Sequence, residues 1–199
     1  MRSCCREPTH LEPELASKLD RIQLDPSAKI LLLGDSMIAR FQDYGTGTGL
    51  LSKEHFTNIG IGGTTTGHWI HLLSQDHFRL SQFTGLEHAV VMLGTNNLAR
   101  LDATAEQISE GVLEVFRVVR SKLKPAVQLW YVPIQIRYDL RDARPTLLDD
   151  IRHINERVGQ SYPLIGFYAD DPQQMESDGL HFTRDTYEAL ANYIKAQFE

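Results

Sequence analysis

The chain has 199 residues, of which 42% are hydrophobic and 23% are charged, and its formal net charge is −6. This length and balance are ordinary for one soluble globular domain with a sizeable core. The acidic charge and the lack of a basic run argue against nucleic acid as the main partner, and no stretch approaches the roughly 18 apolar residues of a transmembrane segment.

The first 24 residues carry charges throughout and contain no apolar stretch of the secretory type, which predicts a cytoplasmic location. Cys4 and Cys5 are the two cysteines of the chain, and because they are adjacent they cannot form a disulfide framework. They fit an exposed tail, with lipid attachment as the alternative. Apolar residues at helical spacing predict a helix over 11–24, so residues 1–25 are predicted to be a tail and a helix.

An uninterrupted apolar run, Ile30 to Leu33, leads into Gly34-Asp35-Ser36. A run this short that ends in glycine predicts a strand buried on both faces of a parallel sheet. Ligands of such sheets bind in the crevice beyond the carboxyl ends of the strands, so Ser36 is a candidate functional residue. The alternative for this serine is a simple turn or a helix N-cap.

Residues 37–51 begin as a helix and pass into a glycine-rich loop at Gly45 to Gly49, because each glycine costs a helix about 1 kcal/mol relative to alanine. A second strand is predicted over 55–61, followed by a glycine turn and a helix. This order also occurs in dinucleotide-binding proteins, but Thr65 stands where that pattern needs its third glycine. The other use of such a turn is to direct backbone N–H groups at a developing anion.

Three histidines, His68, His71 and His77, follow this turn and raise the question of a metal site. His68 and His71 are only three residues apart, and no acid of the HExxH type accompanies them, so the spacing is not specific. Surface or half-buried histidines explain the pattern better. We therefore predict no metal ion and no cofactor.

A third predicted strand, His88 to Leu93, ends in Gly94-Thr95-Asn96-Asn97. Two adjacent asparagines at the end of a strand are typical of a turn. A side-chain amide in this place can also donate a hydrogen bond into the crevice, as an oxyanion hole requires. Both interpretations remain open on these residues alone.

Three later helices are predicted from apolar residues at helical spacing. The clearest spans 104–123, where Thr104 and Gln107 form a capping box. Another covers 147–158, and the last begins after Thr183, its predicted N-cap. These apolar stripes indicate core packing and carry no chemistry.

A fourth strand, 127–133, leads into a loop at 134–144 that lies, by its position, at the same sheet edge as Ser36. One interpretation is a solvated loop. The other is a substrate wall that favours an anionic or polar group. The residues predicted for that wall are Arg137, Tyr138, Arg141 and Arg144.

A fifth strand, 164–169, precedes an acidic loop that carries Asp178-Gly179-Leu180-His181. An aspartate and a histidine three residues apart often have only a structural role. However, a serine hydroxyl is a poor nucleophile near neutral pH, so it needs an adjacent base, and the base needs an orienting partner. Five strands that alternate with helices predict an α/β fold with a parallel sheet.

Taken together, four segments resemble the sequence blocks of the SGNH hydrolases, also called the GDSL lipase/esterase family. The segments, in chain order, are Gly34-Asp35-Ser36, Asn58 to Thr65, Gly94-Thr95-Asn96-Asn97 and Asp178-Gly179-Leu180-His181. Met37 stands where the family has leucine, and Asn97 replaces the last aspartate of the third block. The resemblance implies one domain at 26–199 with a three-layer α/β/α, flavodoxin-like fold and five parallel strands in the order 2-1-3-4-5.

The resemblance also implies roles for individual residues. Ser36 would be the nucleophile, His181 the general base and Asp178 the group that orients the imidazole. The backbone N–H groups of Ser36 and Gly63, with the Asn96 side chain, would form the oxyanion hole. We therefore expect a serine ester hydrolase acting on a lipid, an acylated sugar or a small acyl ester. A catalytically weak binding protein on the same fold is the alternative.

Overall fold

The structure is a computed structural model, and it describes residues 13–41 and 56–198. The predicted glycine-rich loop at Gly45 to Gly49 and the Cys4–Cys5 pair lie outside these ranges. The helices described are α1 (Pro13–Leu19), α2 (Ser36–Ala39), α3 (Thr66–Ser74), α4 (Thr95–Leu98), α5 (Ala105–Lys122), α6 (Leu147–Gly159) and α7 (Arg184–Phe198). The strands described are β1 (Ile30–Gly34), β2 (Phe56–Asn58), β3 (His88–Met92) and β4 (Gln128–Tyr131).

The strands within the described ranges form one parallel sheet in the order β2-β1-β3-β4. β1 lies inside the sheet, where Leu32 pairs with Asn58 of β2 on one side and with Val90 of β3 on the other. All residues of β1 are buried, as its continuous apolar sequence predicts. Because the strands are parallel, the segments that follow β1, β2 and β3 meet at one edge of the sheet.

Alternate residues of β1 face opposite layers of helices. Leu31 and Leu33 belong to a core cluster with residues of α3, α5 and α6. Ile30 and Leu32 belong to a second cluster with α2 and α7. Full burial of such a side chain stabilises a fold by about 1.5–3 kcal/mol, so both faces hold the sheet in place. The predicted three-layer α/β/α fold is confirmed.

The predicted fifth strand, 164–169, is reduced to one isolated parallel bridge between Tyr131 and Leu164 within the described residues. Proline explains part of this, because Pro133 and Pro163 have no N–H group to donate to a ladder. In addition, the Phe167 N–H turns back to the Ile165 carbonyl at 2.7 Å instead of reaching β4. The segment still lies beside β4, so the predicted order 2-1-3-4-5 holds while the regular ladder ends early.

The helix α1 ends at Leu19, before the predicted end at residue 24, and it packs against the cluster on the α3 side of the sheet. Leu15 is 8% exposed in that cluster, and Leu19 and Ile22 pack against it. None of the helices in the ranges 13–41 and 56–198 is long and apolar enough to cross a membrane. The packing of α1 matters below, because this helix approaches the segment that follows β2.

Candidate active site

Ser36 lies where β1 ends and α2 begins, at the carboxyl edge of the sheet. Asp35 caps α2, since its Oδ1 atom accepts a hydrogen bond from the Met37 N–H group at 3.0 Å. The side chains of Met37 and Ile38 are buried beneath this turn. Ser36 is therefore half-buried, and its backbone is fixed against the sheet.

Three side chains from distant parts of the sequence form a continuous hydrogen-bonded chain beside this turn. The Ser36 Oγ atom lies 2.8 Å from His181 Nε2, across 145 residues of sequence. The other imidazole nitrogen, Nδ1, lies 2.6 Å from Asp178 Oδ2. Both distances are within hydrogen-bonding range for these groups. The structure thus brings together the three residues that the sequence predicted as one site.

The loop that carries Asp178 and His181 is held in shape by hydrogen bonds between residues of the loop itself. Asp178 Oδ1 accepts hydrogen bonds from the N–H groups of Leu180 at 3.0 Å and His181 at 2.9 Å. Gly179 has a φ of +65°, a conformation that glycine adopts without the strain of a side chain. A Cβ atom at Gly179 would also lie 3.0 Å from the Asp139 nitrogen, so this position has little room for a larger residue.

The Asp178 carboxyl is held in its ionised form. Burial raises its pKa, but the hydrogen bonds from the His181 imidazole and from the N–H groups of His181 and Leu180 outweigh that effect and lower the pKa to about 2. A carboxylate accepts the proton of Nδ1–H, which leaves Nε2 as the hydrogen-bond acceptor for the Ser36 hydroxyl. This arrangement can take a proton from the serine.

The glycine segment after β2 runs directly past Ser36. A Cβ atom built on Gly62 would lie 3.7 Å from the Ser36 Cβ. Gly63 has a φ of +83°, and within the described residues its N–H group makes no hydrogen bond. The Asn96 side chain reaches the same segment, where its Nδ2 atom donates to the Thr64 carbonyl at 2.9 Å. One Asn96 proton is therefore used to brace this loop, and the second remains available.

Asn97, which departs from the family pattern, has a supporting position. Its Oδ1 atom accepts the Thr66 N–H at 3.1 Å, and its Nδ2 atom donates to Thr66 Oγ1 at 3.0 Å. Thr66 is the first residue of α3, and both side chains are buried. Asn97 thus ties the end of β3 to the start of α3, beside the Gly62–Gly63 segment.

The loop after β4 differs from the predicted arginine-rich substrate wall. Arg137 is 6% exposed, and its guanidinium donates to the Thr95 carbonyl at 3.0 Å and to both oxygens of Asp139. Arg144 is 7% exposed and binds Asp150 and three backbone carbonyls. Both guanidinium groups are buried and hydrogen-bonded within the protein, so we assign them no direct role in binding an anionic substrate.

Of the four residues predicted for that wall, Tyr138 is half-buried and Arg141 is exposed. The Arg141 guanidinium lies 4.3 Å from the centre of the Tyr138 ring. The Tyr138 N–H donates to the Gly179 carbonyl at 2.8 Å, and its hydroxyl donates to the Asp170 carbonyl. Tyr138 therefore borders the loop that carries Asp178, and a contact with substrate stays a prediction for this residue.

An ion pair that the sequence interpretation missed joins α2 to the Asp178 loop. Arg40 Nη1 lies 2.6 Å from Glu176 Oε2, and the two residues are 136 positions apart in sequence. No local motif marks such a contact, because it depends on tertiary folding alone. Glu176 also lies within 4.8 Å of ligand atoms of Asp178 and His181. Since the imidazole bonds Ser36 and Asp178 on its two nitrogens, we assign no metal ion to this group.

His68, one of the three histidines considered as metal ligands, lies near the Gly62–Gly63 segment. His68 Nδ1 accepts the Thr65 N–H at 3.1 Å at the start of α3. A polar cavity of about 130 Å³ lies between α1 and the Gly62–Gly63 segment, with Lys18 and His68 in its wall. A cavity of about 400 Å³ between α6 and the end of β4 includes none of Ser36, Asp178 and His181. The smaller cavity also includes none of these three residues, but Gly62 and Gly63 of the segment that passes Ser36 lie in its wall.

Asp35, directly before Ser36, is fully buried, and its Oδ2 atom has no hydrogen-bond partner among the described residues. Burial raises the pKa of Asp35 to about 7, although the Met37 N–H and the charge of Arg137 act in the opposite direction. A carboxyl group whose pKa is higher in the folded than in the unfolded protein stabilises the fold at low pH. That contribution is lost as the pH rises from about 4 to about 7.

We expect Asp35→Asn to gain stability relative to the wild type as the pH rises. The amide oxygen can still accept the Met37 N–H bond, and no proton needs to be lost from the buried site. A shift from 3.8 to about 7 corresponds to at most about 4 kcal/mol between pH 4 and pH 8. Urea unfolding of both proteins across this range measures the difference, with the exposed Asp102→Asn as the control. A difference that does not change with pH contradicts the assignment.

Known proteins similar to this chain were identified by sequence and by structure. Platelet-activating factor acetylhydrolase IB subunit alpha1 from Rattus norvegicus is 30% identical over 178 residues, which cover 83% of this chain and 68% of that protein. A GDSL-like lipase from Bacteroides thetaiotaomicron has a TM-score of 0.66 and 13% identity, covering 92% of this chain and 94% of its own. A member of the lipolytic protein G-D-S-L family from Veillonella parvula has a TM-score of 0.63 and 18% identity, covering 85% and 97% respectively. No protein-family model matches the chain.

Proposed function

Because the chain belongs to the SGNH hydrolase family, also called the GDSL family, we propose that it is a serine ester hydrolase that cleaves carboxylic esters through an acyl-enzyme on Ser36. The observation that carries the proposal is the hydrogen-bonded chain from Ser36 Oγ through His181 to Asp178, with distances of 2.8 and 2.6 Å. This order of hydroxyl, imidazole and carboxylate is the arrangement that activates a serine.

The reaction follows from the roles of these groups. The Ser36 oxygen attacks the ester carbonyl carbon while His181 Nε2 takes the hydroxyl proton, and the ionised Asp178 stabilises the imidazolium. The tetrahedral intermediate collapses when His181 donates that proton to the leaving alcohol. A water molecule then attacks the acyl-enzyme, again with His181 as the base, and releases the acid and the free serine.

The oxyanion of the tetrahedral intermediate is assigned to three donors, the N–H groups of Ser36 and Gly63 and the side-chain amide of Asn96. Two observations support this assignment. The Gly63 N–H group makes no hydrogen bond within the described residues, and the Asn96 amide retains one free proton. Each donor directed at such an oxygen contributes roughly 3 kcal/mol to catalysis.

The substrate class is proposed from the relatives. The rat relative carries the name platelet-activating factor acetylhydrolase, which describes removal of an acetyl group from that compound. We propose that this chain also acts on a carboxylic ester with a short acyl group, among the lipid, sugar and small-ester candidates. A panel of esters from acetyl to long acyl, each on glycerol and sugar alcohols, tests this choice. Higher kcat/KM for long acyl chains contradicts it.

The most direct test of the reaction is labelling with a fluorophosphonate probe, which modifies an activated serine. We expect one labelled site at Ser36 in the wild-type protein and no labelling of Ser36→Ala. A binding protein with the same fold and little turnover would leave Ser36 unlabelled. Peptide mapping of the labelled protein identifies the residue, and labelling elsewhere with Ser36 unmodified refutes the proposal.

A further inference from the structure

Lys18 on α1 contacts the glycine segment that follows β2. Its Nζ atom donates a hydrogen bond to the Gly62 carbonyl at 3.1 Å, across 44 residues of sequence. Glu14 Oε1 holds the same ammonium group at 2.8 Å. Leu15 anchors this helix in the core, where it is only 8% exposed. The contact therefore joins a packed helix to the backbone beside Ser36, although α1 lies outside the four sequence blocks.

The carbonyl that Lys18 binds belongs to the same peptide group as the Gly63 N–H. A trans peptide group is planar, and its C=O and N–H bonds point in opposite directions. A hydrogen bond that fixes the Gly62 oxygen therefore also fixes the direction of the Gly63 N–H. Since that N–H has no partner within the described residues, the side opposite Lys18 is available to a ligand.

This peptide group needs external support because glycines flank it on both sides. Gly62 and Gly63 have no side chains to restrict their backbone angles, and Gly63 has a φ of +83°. A single charged donor on the carbonyl restricts a peptide that could otherwise rotate. The Lys18 side chain is 37% exposed, so its ammonium group reaches the carbonyl from the protein surface rather than from the core.

We propose that Lys18 is a positioning residue of the oxyanion hole, which holds and polarises the Gly62–Gly63 peptide so that the Gly63 N–H meets the oxyanion. The inference rests on the proposed function, because it requires negative charge to develop opposite this N–H. A cation on the carbonyl oxygen strengthens the donor at the other end of the same peptide, as hydrogen bonds in a chain polarise one another. Lys18 itself touches neither the substrate nor the reacting atoms.

The effect should appear in the rate of the chemical step and not in the binding of the ester. The neutral carbonyl of the bound ester gains little from a polarised N–H, whereas the oxyanion gains much more. An interaction of this kind changes kcat and leaves KM nearly constant. A change in kcat with constant KM therefore distinguishes a role in positioning the oxyanion hole from a general role in packing.

Lys18→Met tests the proposal on p-nitrophenyl acetate. We expect kcat to fall about 10-fold, less than the 10²- to 10³-fold for loss of a direct donor, with KM within about twofold of the wild-type value. Lys18→Gln is the second uncharged variant and should behave alike, because its side chain is one atom shorter than that of lysine and its amide carries no charge to polarise the peptide. Lys18→Arg should recover most of kcat, because a guanidinium can donate to the same carbonyl.

A trifluoromethyl ketone provides a second readout that packing alone would not change. The Ser36 oxygen adds to its carbonyl carbon, the hydroxyl proton passes to His181, and the carbonyl oxygen becomes an oxyanion. Lys18→Met should weaken this inhibitor by the same factor as kcat/KM. An ether analogue of the ester, which cannot form an oxyanion, should bind both proteins equally.

Lys29→Met is the matched control, because it removes an exposed lysine that is paired with Glu87 elsewhere. It should keep wild-type kcat. The inference is overturned if Lys18→Met and Lys18→Gln keep wild-type kcat and inhibitor affinity, if arginine fails to rescue, or if Lys29→Met loses as much. A wild-type protein that neither hydrolyses esters nor labels at Ser36 overturns the proposed function as well.

Discussion

Ser36→Ala is expected to lower kcat for an activated ester by at least about 10³-fold while the fold stays intact. The change removes only the oxygen that attacks the carbonyl carbon, so no acyl-enzyme can form. The turn itself should survive, because α2 is capped by Asp35 and anchored by the buried Met37. Initial rates on p-nitrophenyl acetate, with circular dichroism and thermal unfolding of both proteins, measure activity and fold separately.

The matched control for this variant is Ser121→Ala. Ser121 is an exposed serine on α5 whose hydroxyl bonds the Val118 carbonyl at 2.7 Å, far from the candidate site in sequence. Ser121→Ala also removes a hydroxyl oxygen, and this variant should retain wild-type kcat. If Ser36→Ala keeps wild-type turnover while remaining folded, the proposed mechanism is refuted, whatever the distances at the site.

The elements with a strong local pattern could be predicted from the sequence. β1 follows from the apolar run Ile30 to Leu33, and α5 follows from its apolar stripe and its capping box. In the structure Gln107 N–H donates to Thr104 Oγ1 at 3.2 Å, and the Gln107 side chain accepts the Thr104 N–H at 3.0 Å. Such signals are reliable because the residues that cause them are neighbours in sequence.

The candidate site was predictable to a similar degree, for a different reason. Each of the four segments is a weak signal alone, but the ends of parallel strands meet at one edge of the sheet. A parallel α/β fold therefore brings Ser36, Gly63 and Asn96 close together, and a loop before the last helix adds Asp178 and His181. The structure places Ser36 and His181 2.8 Å apart at this edge.

The arginine loop and the last strand were harder to predict because their outcome depends on partners distant in sequence. Arg137 is buried since the Thr95 carbonyl, 42 residues away, and Asp139 together satisfy its guanidinium. Nothing in the local sequence distinguishes such a buried arginine from a solvated one. For the fifth strand, the apolar pattern of 164–169 predicted the right place. The prolines that end the ladder, Pro133 and Pro163, lie outside that pattern.

The same limit applies to the residues that support the site. Lys18 and Arg40 both reach backbone or side chains more than forty residues away. Their own neighbourhoods resemble those of ordinary surface residues, because a long flexible cation carries no signal of its final partner. These contacts can be inferred only when the helix that carries the residue has been placed against the sheet.

His181→Ala is expected to reduce kcat by about as much as Ser36→Ala, at least about 10³-fold. The serine proton would have no acceptor, since Nε2 is the atom within hydrogen-bonding distance of Ser36 Oγ. The loop should keep its shape, because the Glu176 N–H bonds the His181 backbone carbonyl at 2.6 Å and not the side chain. His153→Ala, which removes an exposed histidine paired with Glu106, is the control and should be fully active.

The double variant Ser36→Ala with His181→Ala gives the sharper test, because it asks whether the two residues act as one unit. Once the serine oxygen is absent, the imidazole has no proton to accept, so its removal should cost little more. We therefore expect kcat of the double variant to lie within about tenfold of kcat of either single variant. This value is far higher than the kcat that would result if the two losses multiplied. Losses that multiply would mean that Ser36 and His181 contribute independently, and the hydrogen bond between them would then not be the basis of the reaction.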